Sequence, residues 1–390
     1  MAKKNIRKYN YKKYFYRFCF SILDYLGDLF FSRQRLIPEK ITNILVFRPD
    51  HLGDVVFSIP SLEILKENYP EAKIDMVIGP WSSSLFENIG QLNARNFHIL
   101  EFSCPWLKRP KTIKFGFLSI FQLVKLLKNR IREIGKNYDI AIDLRGDFQL
   151  ILAARIARIP FLVGRGSTGL GFLLDIDVPN FENKHLVESN LFLLEESGLG
   201  KFPLRNPQIK IDQENTAKSR ILLEENKVDF SRIVIGIHPG AGLPEKRWAC
   251  ERFAALIEMI LTNDQYQFVL FGGPDDSFLI KQVIDSLPKS FLKEKVIDMS
   301  GQVNSLGTFM GVVKNMNLYI GNDSGPTHIA SAISVPVICI FQGINDPVIC
   351  RPLGDSSQIV SVEPKIQNNL EREYPPPSIE EVYEVVIRCV

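Results

Sequence analysis

The sequence predicts an α/β protein built from two domains, each with a parallel β-sheet. Strand-like apolar runs alternate with helical patterns along the chain, which is typical of parallel α/β layers. The length of 390 residues exceeds that of one ordinary core and fits two domains. The segment GLGKFPLRNPQIKI (198–211) is rich in Gly, Pro and polar residues, so it predicts the boundary between them.

Apolar periodicity predicts the individual elements in chain order. In the first half, strands are expected at 41–47, 73–78, 97–100 and 139–143, and helices at 54–68, 112–136, 148–157 and 184–197. In the second half, strands are expected at 233–237, 267–271, 295–298, 317–320 and 336–341, and helices at 213–226, 250–263, 276–287, 305–314 and 326–333. The final run SIEEVYEVVIRCV predicts one more helix, whose packing partner the pattern leaves open. The predicted domains are an extension at 1–40 and two α/β domains at 41–203 and 204–390.

The charge distribution argues against a nucleic-acid binder. The chain has a net charge of +3, but residues 1–40 hold ten Lys/Arg and three Asp/Glu, which leaves the remainder at −4. A nucleic-acid-binding protein carries its basic surface on the folded domain instead.

The six cysteines are scattered and form no CxxC pair. They predict a reducing cytoplasmic compartment, with neither a disulfide framework nor a zinc site.

The N-terminal extension MAKKNIRKYNYKKYFYRFCFSILDYLGDLFF is basic at its start and aromatic behind. Arg17, Asp24 and Asp28 interrupt its apolar stretch, and no small-residue cleavage site follows. It therefore predicts neither a signal peptide nor a membrane-spanning helix. Lys and Arg beside Tyr and Phe favour a helix that lies on an anionic leaflet. The alternative is an extra helix packed on the body, preceded by a basic tip.

The loop HLGD follows the first predicted strand and carries Asp54 at the start of a helix. Local turn chemistry explains it fully, because Asp is a preferred N-cap and Gly permits a tight turn. The functional interpretation is a general base that accepts a proton from an attacking hydroxyl. The residues of this loop alone leave both interpretations open.

Two later loops that follow apolar strands suit a phosphate group. In HPGAGLPEKRW (238–248), small residues let backbone N–H groups approach an anion, and a Lys-Arg pair supplies charge. In GNDSGPTH (321–328), the start of a helix and a Ser hydroxyl form an anion nest. The alternatives are a turn with a solvated basic pair, and an ordinary N-cap with a packed histidine. A third loop, FGGPDD (271–276), offers acidic groups to ribose hydroxyls or is a simple loop-to-helix turn.

The order and spacing of these loops resemble glycosyltransferase family 9, the bacterial ADP-heptose:lipopolysaccharide heptosyltransferases and their relatives. The resemblance rests on ILVFRPDHLGDVVFSIPSLEILKENYPEAKIDMVIGP, YDIAIDLRGDFQLILAARIARIPFLVGR, IGIHPGAGLPEKRWACERFAALI and GNDSGPTHIASAISVPVICIFQGINDP. It implies a GT-B fold, in which two Rossmann-like domains face each other across a cleft. It also implies an inverting transfer that needs no metal or cofactor, with the nucleotide sugar as co-substrate.

The resemblance and the loop chemistry together give the predicted site. Asp54 is the catalytic base. The predicted ligands of the donor and its phosphates are His238, Gly240, Lys246, Arg247, Asp323, Ser324, Gly325 and His328. Gly273 and Asp276 are assigned to the nucleoside, although Asp276 stands where the family pattern suggests Glu. Arg48 and Arg145 are assigned to the acceptor, and no residue is assigned to a metal.

The predicted function is transfer of heptose from an ADP-activated donor to a lipopolysaccharide-core or related glycan acceptor. One alternative keeps the fold but uses another nucleotide-activated sugar. Another is a non-catalytic sugar-nucleotide-binding protein. The predicted partners are the nucleotide sugar, a glycolipid or oligosaccharide acceptor and the cytoplasmic face of the bacterial inner membrane. The loop EFSCPWLKRPKT (101–112) adds Trp106 and basic residues that suit an anionic acceptor.

Overall fold

The computed structural model divides the chain into two compact units. The structure describes residues 9, 14–31, 36–87, 96–107, 113–181, 183–291, 294–355, 359–362 and 376–390. Unit 1 comprises Met1–Ser83 and Leu92–Arg205, and unit 2 comprises Ser84–Gln91 and Asn206–Val390. The main division therefore falls two residues after the predicted boundary, and the N-terminal extension belongs to unit 1.

Unit 1 contains a six-stranded, entirely parallel sheet with the strand order β3-β2-β1-β4-β5-β6. Its strands are β1 (Asn43–Phe47), β2 (Lys73–Ile78), β3 (Phe97–Glu101), β4 (Ile140–Asp143), β5 (Leu162–Gly164) and β6 (Ile176–Asp177). This is the order of the doubly wound, dinucleotide-binding fold. Its apolar strands are covered by helices on both faces, so β1 and β4 are buried along their whole length.

Unit 2 repeats the same arrangement, with the order β12-β11-β10-β7-β8-β9. Its strands are β7 (Ile233–His238), β8 (Tyr266–Leu270), β9 (Val296–Asp298), β10 (Leu318–Asn322), β11 (Val337–Ile340) and β12 (Ile359–Val362). Because β7 is the first strand of this unit, the order is again that of the doubly wound fold. The prediction of two α/β units with parallel sheets is confirmed.

The helices cover these sheets and connect successive strands. In the first half they are α1 (Tyr14–Phe30), α2 (Leu52–Val56), α3 (Ile59–Asn68), α4 (Ser83–Glu87), α5 (Ile113–Ile134), α6 (Phe148–Ile156) and α7 (Leu186–Glu196). In the second half they are α8 (Gln213–Glu225), α9 (Cys250–Ile260), α10 (Ser277–Asp285), α11 (Leu306–Lys314), α12 (Gly325–Ala332), α13 (Pro347–Cys350) and α14 (Ile379–Cys389). Short 3-10 turns at Pro80–Ser82, Pro105–Leu107, Gly171–Leu173, Pro244–Lys246 and Pro274–Asp276 follow strands or join elements.

Two kinds of element differ from the prediction. The helix expected at 54–68 is two helices, because the chain turns at Phe57 and Ser58 and restarts with Pro60 in the first turn of α3. The short strands β5, β6 and β12, which lie at or next to a sheet edge, were not predicted. They contain only two to four residues each, so they leave too short an apolar run for a periodic signal.

The C-terminal helix α14 packs on α9 and on the strands β11 and β12 of unit 2. Ser378 and Glu381 form a capping box that starts it. Val382 and Val386 are buried on one face and join the core that contains Phe253 and Ile257 of α9. The tertiary structure thus supplies the packing partner that the sequence pattern left open.

Helix α1 packs one of its faces on unit 1. The ring of Phe20 lies 5.3 Å from that of Phe148 between centroids, and Asp24 is buried. Gly27 lies against Phe172, whose ring a β-carbon at that position would overlap. The opposite face is exposed and apolar; its exposed side chains include Tyr14, Phe15, Phe18, Ile22, Tyr25, Leu26, Leu29 and Phe30. The predicted basic tip, residues 1–13, lies almost wholly outside the described residues.

Candidate functional site

Both sheets place the predicted site loops where the strand order reverses. In an open parallel sheet, ligands bind beyond the carboxyl ends of the strands at this switch point. In unit 1 the switch lies between β1 and β4, where Phe47 pairs with Asp143, and the loop after β1 leads to Asp54. In unit 2 it lies between β7 and β10, where His238 pairs with Gly321. Each unit therefore has a candidate site at this edge of its sheet.

Asp54 lies in the first turn of α2, beyond the capping position. The N-cap of this helix is His51, so the alternative prediction that Asp54 is the N-cap is wrong. The Asp54 side chain is 29% exposed, and its Oδ1 lies 3.5 Å from Nη2 of Arg48. A partly exposed carboxylate held beside a guanidinium has the access and the charge that a general base needs.

Arg48, which was predicted as an acceptor ligand, is enclosed by protein. Its Nη1 donates a 2.8 Å hydrogen bond to the carbonyl of Leu144, and its Nε donates a 3.2 Å bond to the carbonyl of Asp54. The same Nε lies 3.3 Å from Oδ2 of Asp50. Burial lowers the pKa of Arg48, while the charges of Asp54 and Asp143 act to raise it. Arg48 thus ties the loop after β1 to the loop after β4, and its role toward an acceptor stays a prediction.

Arg145, the other predicted acceptor ligand, is partly exposed. It forms an ion pair with Asp50, and its Nε donates a 2.5 Å hydrogen bond to Oδ2 of Asp147. The indole N–H of Trp106 donates to the same Asp147 oxygen at 3.0 Å. These contacts orient the guanidinium while 27% of its side chain faces solvent. Its binding of an acceptor stays a prediction, as does that of the loop 101–112, whose residues 108–112 lie outside the described residues.

Asp143 ends β4 at the switch point and is absent from the predicted set. Its Oδ1 accepts hydrogen bonds from the backbone N–H groups of Arg145 and Gly146, each 3.0 Å long. Among the described residues its buried Oδ2 has no hydrogen-bond partner. Burial raises the pKa of Asp143 to about 7, although both backbone bonds act to lower it. Arg165 is buried nearby, and burial lowers its pKa to about 10. Asp143 is therefore a buried carboxyl group with a raised pKa, close to Arg48 of the base loop.

In unit 2, Asp323 gathers three polar side chains. Lys246 Nζ donates to its Oδ2 at 2.8 Å, and Asn345 Nδ2 donates to the same oxygen at 2.6 Å. His328 Nε2 lies 3.4 Å from Oδ1. Burial acts to raise the pKa of Asp323, but the hydrogen bond and charge of His328, followed by Lys246, bring it below its usual value. The structure thus brings together Lys246, Asp323 and His328, all predicted donor ligands.

A second pair joins the loops after β7 and β8. His238 Nε2 lies 3.0 Å from Oδ2 of Asp276, which also accepts a 3.0 Å bond from the Gly273 N–H. Burial acts to raise the pKa of Asp276, but the His238 hydrogen bond and charge lower it below the usual range. Gly240 lies so close that a β-carbon there would be 2.1 Å from Oδ1 of Asp276. His238 thus contacts the carboxylate assigned to the nucleoside, and its predicted role as a ligand of the donor stays a prediction.

The loop after β7 is fixed by Asn322, a buried residue absent from the predicted set. Its Oδ1 accepts a 2.8 Å bond from the N–H of Trp248, and its Nδ2 donates a 2.8 Å bond to the carbonyl of Pro239. Arg247 Nε donates to the carbonyl of Ala241 at 3.0 Å, so this predicted phosphate ligand also holds the loop. A loop held at both ends keeps its small residues in place for a ligand.

The other predicted phosphate site lies at the start of α12. Ser324 is the N-cap and Gly325 the first helical residue, and the Ser324 side chain makes no capping bond. Its hydroxyl lies 3.3 Å from that of Thr327. The first N–H groups of a helix have no intrahelical acceptor and carry partial positive charge, which favours an anion. Lys246 contacts Asp323, and the start of α12 follows Asp323 directly in the chain, so both halves of the predicted phosphate site adjoin the same residue.

Three polar residues that the prediction omits share one position relative to the strands. Asp50, Asp143 and Asn345 all lie at or just beyond the carboxyl end of an apolar strand, which is where parallel sheets bind ligands.

Within the ranges that the structure describes, no group of three or more His, Cys, Asp or Glu side chains is placed to hold a metal ion. Independence from metal stays a prediction. No helix in the described part of the chain is long and apolar enough to cross a membrane.

Comparisons of the sequence with known proteins agree on one family. Residues 127–378 match the sequence model of glycosyltransferase family 9 (heptosyltransferase). The chain is 26% identical to lipooligosaccharide heptosyltransferase 2 of Haemophilus influenzae over 325 residues, which are 82% of this chain and 88% of that protein. It is also 26% identical to lipopolysaccharide heptosyltransferase 2 of Salmonella typhimurium, over 81% of this chain and 87% of that protein.

Two solved structures resemble the whole fold. The glycosyltransferase family 9 protein of Veillonella parvula has a TM-score of 0.73 at 22% identity, over 91% of this chain and 99% of that one. Escherichia coli ADP-heptose lipopolysaccharide heptosyltransferase II has a TM-score of 0.69 at 22% identity, over 89% of this chain and 98% of that one. These similarities confirm the predicted GT-B class of fold.

Proposed function

The chain belongs to glycosyltransferase family 9, and we propose that it transfers heptose from an ADP-activated donor to a lipopolysaccharide-core or related glycan acceptor. The observation that carries this proposal is the set of groups at the two switch points. One presents a partly exposed carboxylate, Asp54, and the other presents Lys246 beside the start of α12. The named activities of the relatives support heptose and ADP as the donor's parts.

The proposed reaction is a single displacement with inversion. The acceptor hydroxyl oxygen attacks the anomeric carbon of the heptose and forms the new C–O bond. The bond from that carbon to the diphosphate oxygen breaks, and ADP leaves with the electron pair. Asp54 takes the proton of the attacking hydroxyl. Lys246 and the N–H groups at the start of α12 stabilise the charge that develops on the diphosphate, a role that needs no metal.

Asp276, in the loop after β8, binds the nucleoside in this proposal. Asp276 is oriented by His238 and by the Gly273 N–H, so its carboxylate is fixed before a ligand arrives. A carboxylate in this place accepts hydrogen bonds from ribose hydroxyls in doubly wound folds. His238 is then a positioning residue for Asp276 as much as a donor ligand.

A donor panel tests the proposed function. We expect the purified chain, given a heptose-deficient lipopolysaccharide-core acceptor, to release ADP and extend the glycan with ADP-heptose. We expect no product above background with UDP-sugars or GDP-sugars. Product from one of those donors would establish the alternative of another activated sugar. Nucleotide-sugar binding without product from any donor would establish the non-catalytic alternative. Mass analysis of the extended glycan identifies the added sugar.

We further propose that the enzyme is peripheral on the cytoplasmic face of the bacterial inner membrane, where a glycolipid acceptor is found. Helix α1 supports this proposal, because one face packs on unit 1 while Phe18, Tyr25 and Leu29 on the other are exposed. Residues 1–40 add a surplus of seven positive charges. Exposed aromatic residues beside basic ones suit the headgroup region of an anionic leaflet.

Vesicle binding tests this membrane proposal. We expect Phe18→Ser/Leu29→Ser to lower partitioning onto phosphatidylglycerol-containing vesicles by about 10²–10⁴-fold, because each side chain that inserts into the leaflet contributes about 1.5–3 kcal/mol. Ile221→Ser, at an exposed apolar position of α8 in unit 2, is the matched control and should partition like the wild type. Sedimentation of all three proteins with anionic and with neutral vesicles measures the effect. Equal partitioning of the double variant and the wild type would refute a membrane role for α1.

A further inference from the structure

Trp81 is a large aromatic residue that is exposed at the carboxyl ends of the strands of the unit 1 sheet. It belongs to the 3-10 turn Pro80–Ser82, directly beyond the carboxyl end of β2. Its side chain is 41% exposed, whereas Trp248 in unit 2 is buried. Tryptophan is highly buried on average, so an exposed indole at a ligand-binding edge calls for an explanation.

The exposed ring is nevertheless held in place from two sides. Its Nε1–H donates a 2.9 Å hydrogen bond to the carbonyl of Asp50. Its six-membered ring lies so close to the backbone of Gly79 that a β-carbon there would be 2.3 Å from the ring atoms. Only glycine permits this approach. The indole is therefore fixed on its support, and its conformation requires little ordering when a ligand binds.

The neighbourhood of the ring is the base loop. Asp50, whose carbonyl anchors the indole, lies four residues before Asp54, and α2 packs against the turn that carries Trp81. The Asp50 carboxylate is paired with Arg145, and both Asp54 and Arg145 are partly exposed. A fixed apolar ring is thus joined to the loop that carries Asp50 and Asp54, and Arg145 pairs with the same loop.

This combination matches the chemistry of a sugar ring. A pyranose presents one face of C–H groups and a rim of hydroxyls, so it binds where an aromatic plane is bordered by a few polar groups. An ordinary hydrophobic ligand would remove the partly exposed groups of Asp54 and Arg145 from water, at a cost in free energy.

We infer that Trp81 is the stacking platform of an acceptor subsite, on which the sugar ring that carries the attacking hydroxyl lies close to Asp54. The inference rests on the proposed function for the identity of this sugar as an acceptor. It concerns a residue for which neither the loop motifs nor the family resemblance gives a role. The platform fixes the plane of the ring, and Asp54 meets its hydroxyl rim.

Three substitutions separate a platform from a structural anchor. Trp81→Phe keeps an aromatic plane and loses the N–H, while Trp81→Leu keeps apolar volume and loses both. We expect Trp81→Leu and Trp81→Ala to raise the acceptor KM and Kd by about ten-fold, with the KM for the donor unchanged. Trp81→Phe should stay within about three-fold of the wild type. If the indole only anchors Asp50, the Phe and Leu variants are equally impaired, and that result would overturn the inference.

Two measurements distinguish a failure of the Trp81 platform from a failure of the proposed function. Steady-state kinetics with varied acceptor gives KM, and calorimetric titration of the core oligosaccharide gives Kd without any turnover. A wild type that binds the glycan but transfers nothing refutes the proposed function, and the Trp81 variants still report on the platform. A wild type that transfers, with Trp81→Leu unchanged in acceptor KM and Kd, refutes the platform alone. No glycan binding by the wild type also refutes it. Phe121→Leu, at an exposed ring on α5, is the control.

Discussion

Replacing Asp54 by alanine should lower kcat by about 10²–10⁴-fold, the contribution expected of a positioned general base. The affinity for ADP should stay nearly unchanged, because the predicted ADP ligands all belong to unit 2 and Asp54 belongs to unit 1. Asp54→Asn should be equally inactive, since an amide keeps the size of the side chain but cannot take the proton. Single-turnover transfer rates and calorimetric titration with ADP measure the two effects.

The control for Asp54 is an acid on the neighbouring helix. Glu67 of α3 pairs with Arg205 at the surface, so Glu67→Gln should transfer at the wild-type rate. Thermal unfolding of each variant shows whether loss of the contact between Arg48 and Asp54 has unfolded the loop. Substantial transfer by a folded Asp54→Ala variant would contradict its role as the base.

Replacing Lys246 by alanine should lower kcat/KM for the donor by about 10²–10³-fold. The ammonium supplies charge to the leaving diphosphate, and it also neutralises Asp323, to which it donates a 2.8 Å hydrogen bond. Without Lys246, the largely buried carboxylate of Asp323 would repel the diphosphate. Steady-state kinetics with varied donor and titration with ADP measure the loss, and Lys218→Ala on exposed α8 is the control.

A double variant separates these two roles of Lys246. In Lys246→Ala/Asp323→Asn the repelling charge is gone, so ADP should bind more tightly than to Lys246→Ala but more weakly than to the wild type. Full recovery of wild-type ADP affinity would mean that Lys246 only neutralises Asp323 and makes no phosphate contact. That outcome would remove Lys246 from the proposed set of donor ligands.

The residue types in the loops, and the chemistry they make possible, could be predicted from the sequence. Gly-Asp at 53–54, Lys-Arg at 246–247 and Asp-Ser-Gly at 323–325 each follow an apolar strand, and strands and helices are set largely by local periodicity. In a parallel sheet the loops after the strands leave the same edge, so the side chains of 246–247 and 323–325, which follow strands of one sheet, are expected near one another before any coordinate is known. Their order along the chain was enough to indicate the family.

The structure shows contacts of individual residues in these loops that the sequence did not predict. Arg48 stands beside a predicted active loop, but burial directs its guanidinium toward Asp54 and the carbonyl of Leu144. His238 lies in a phosphate-like motif yet contacts Asp276, 38 positions away in sequence. Sequence spacing cannot predict such pairs, because they depend on which strands lie side by side.

The sequence by itself determined the two α/β halves, the loops that carry chemistry and the residue types available there, because these follow from short-range periodicity and turn chemistry. Only the tertiary structure decided the strand order, and with it the pairs Lys246–Asp323 and Arg145–Asp50 at the switch points. It also decided that Trp81 is fixed and exposed while Trp248 is buried. The physical reason is that burial and contact depend on packing between segments distant in sequence, which no local pattern encodes.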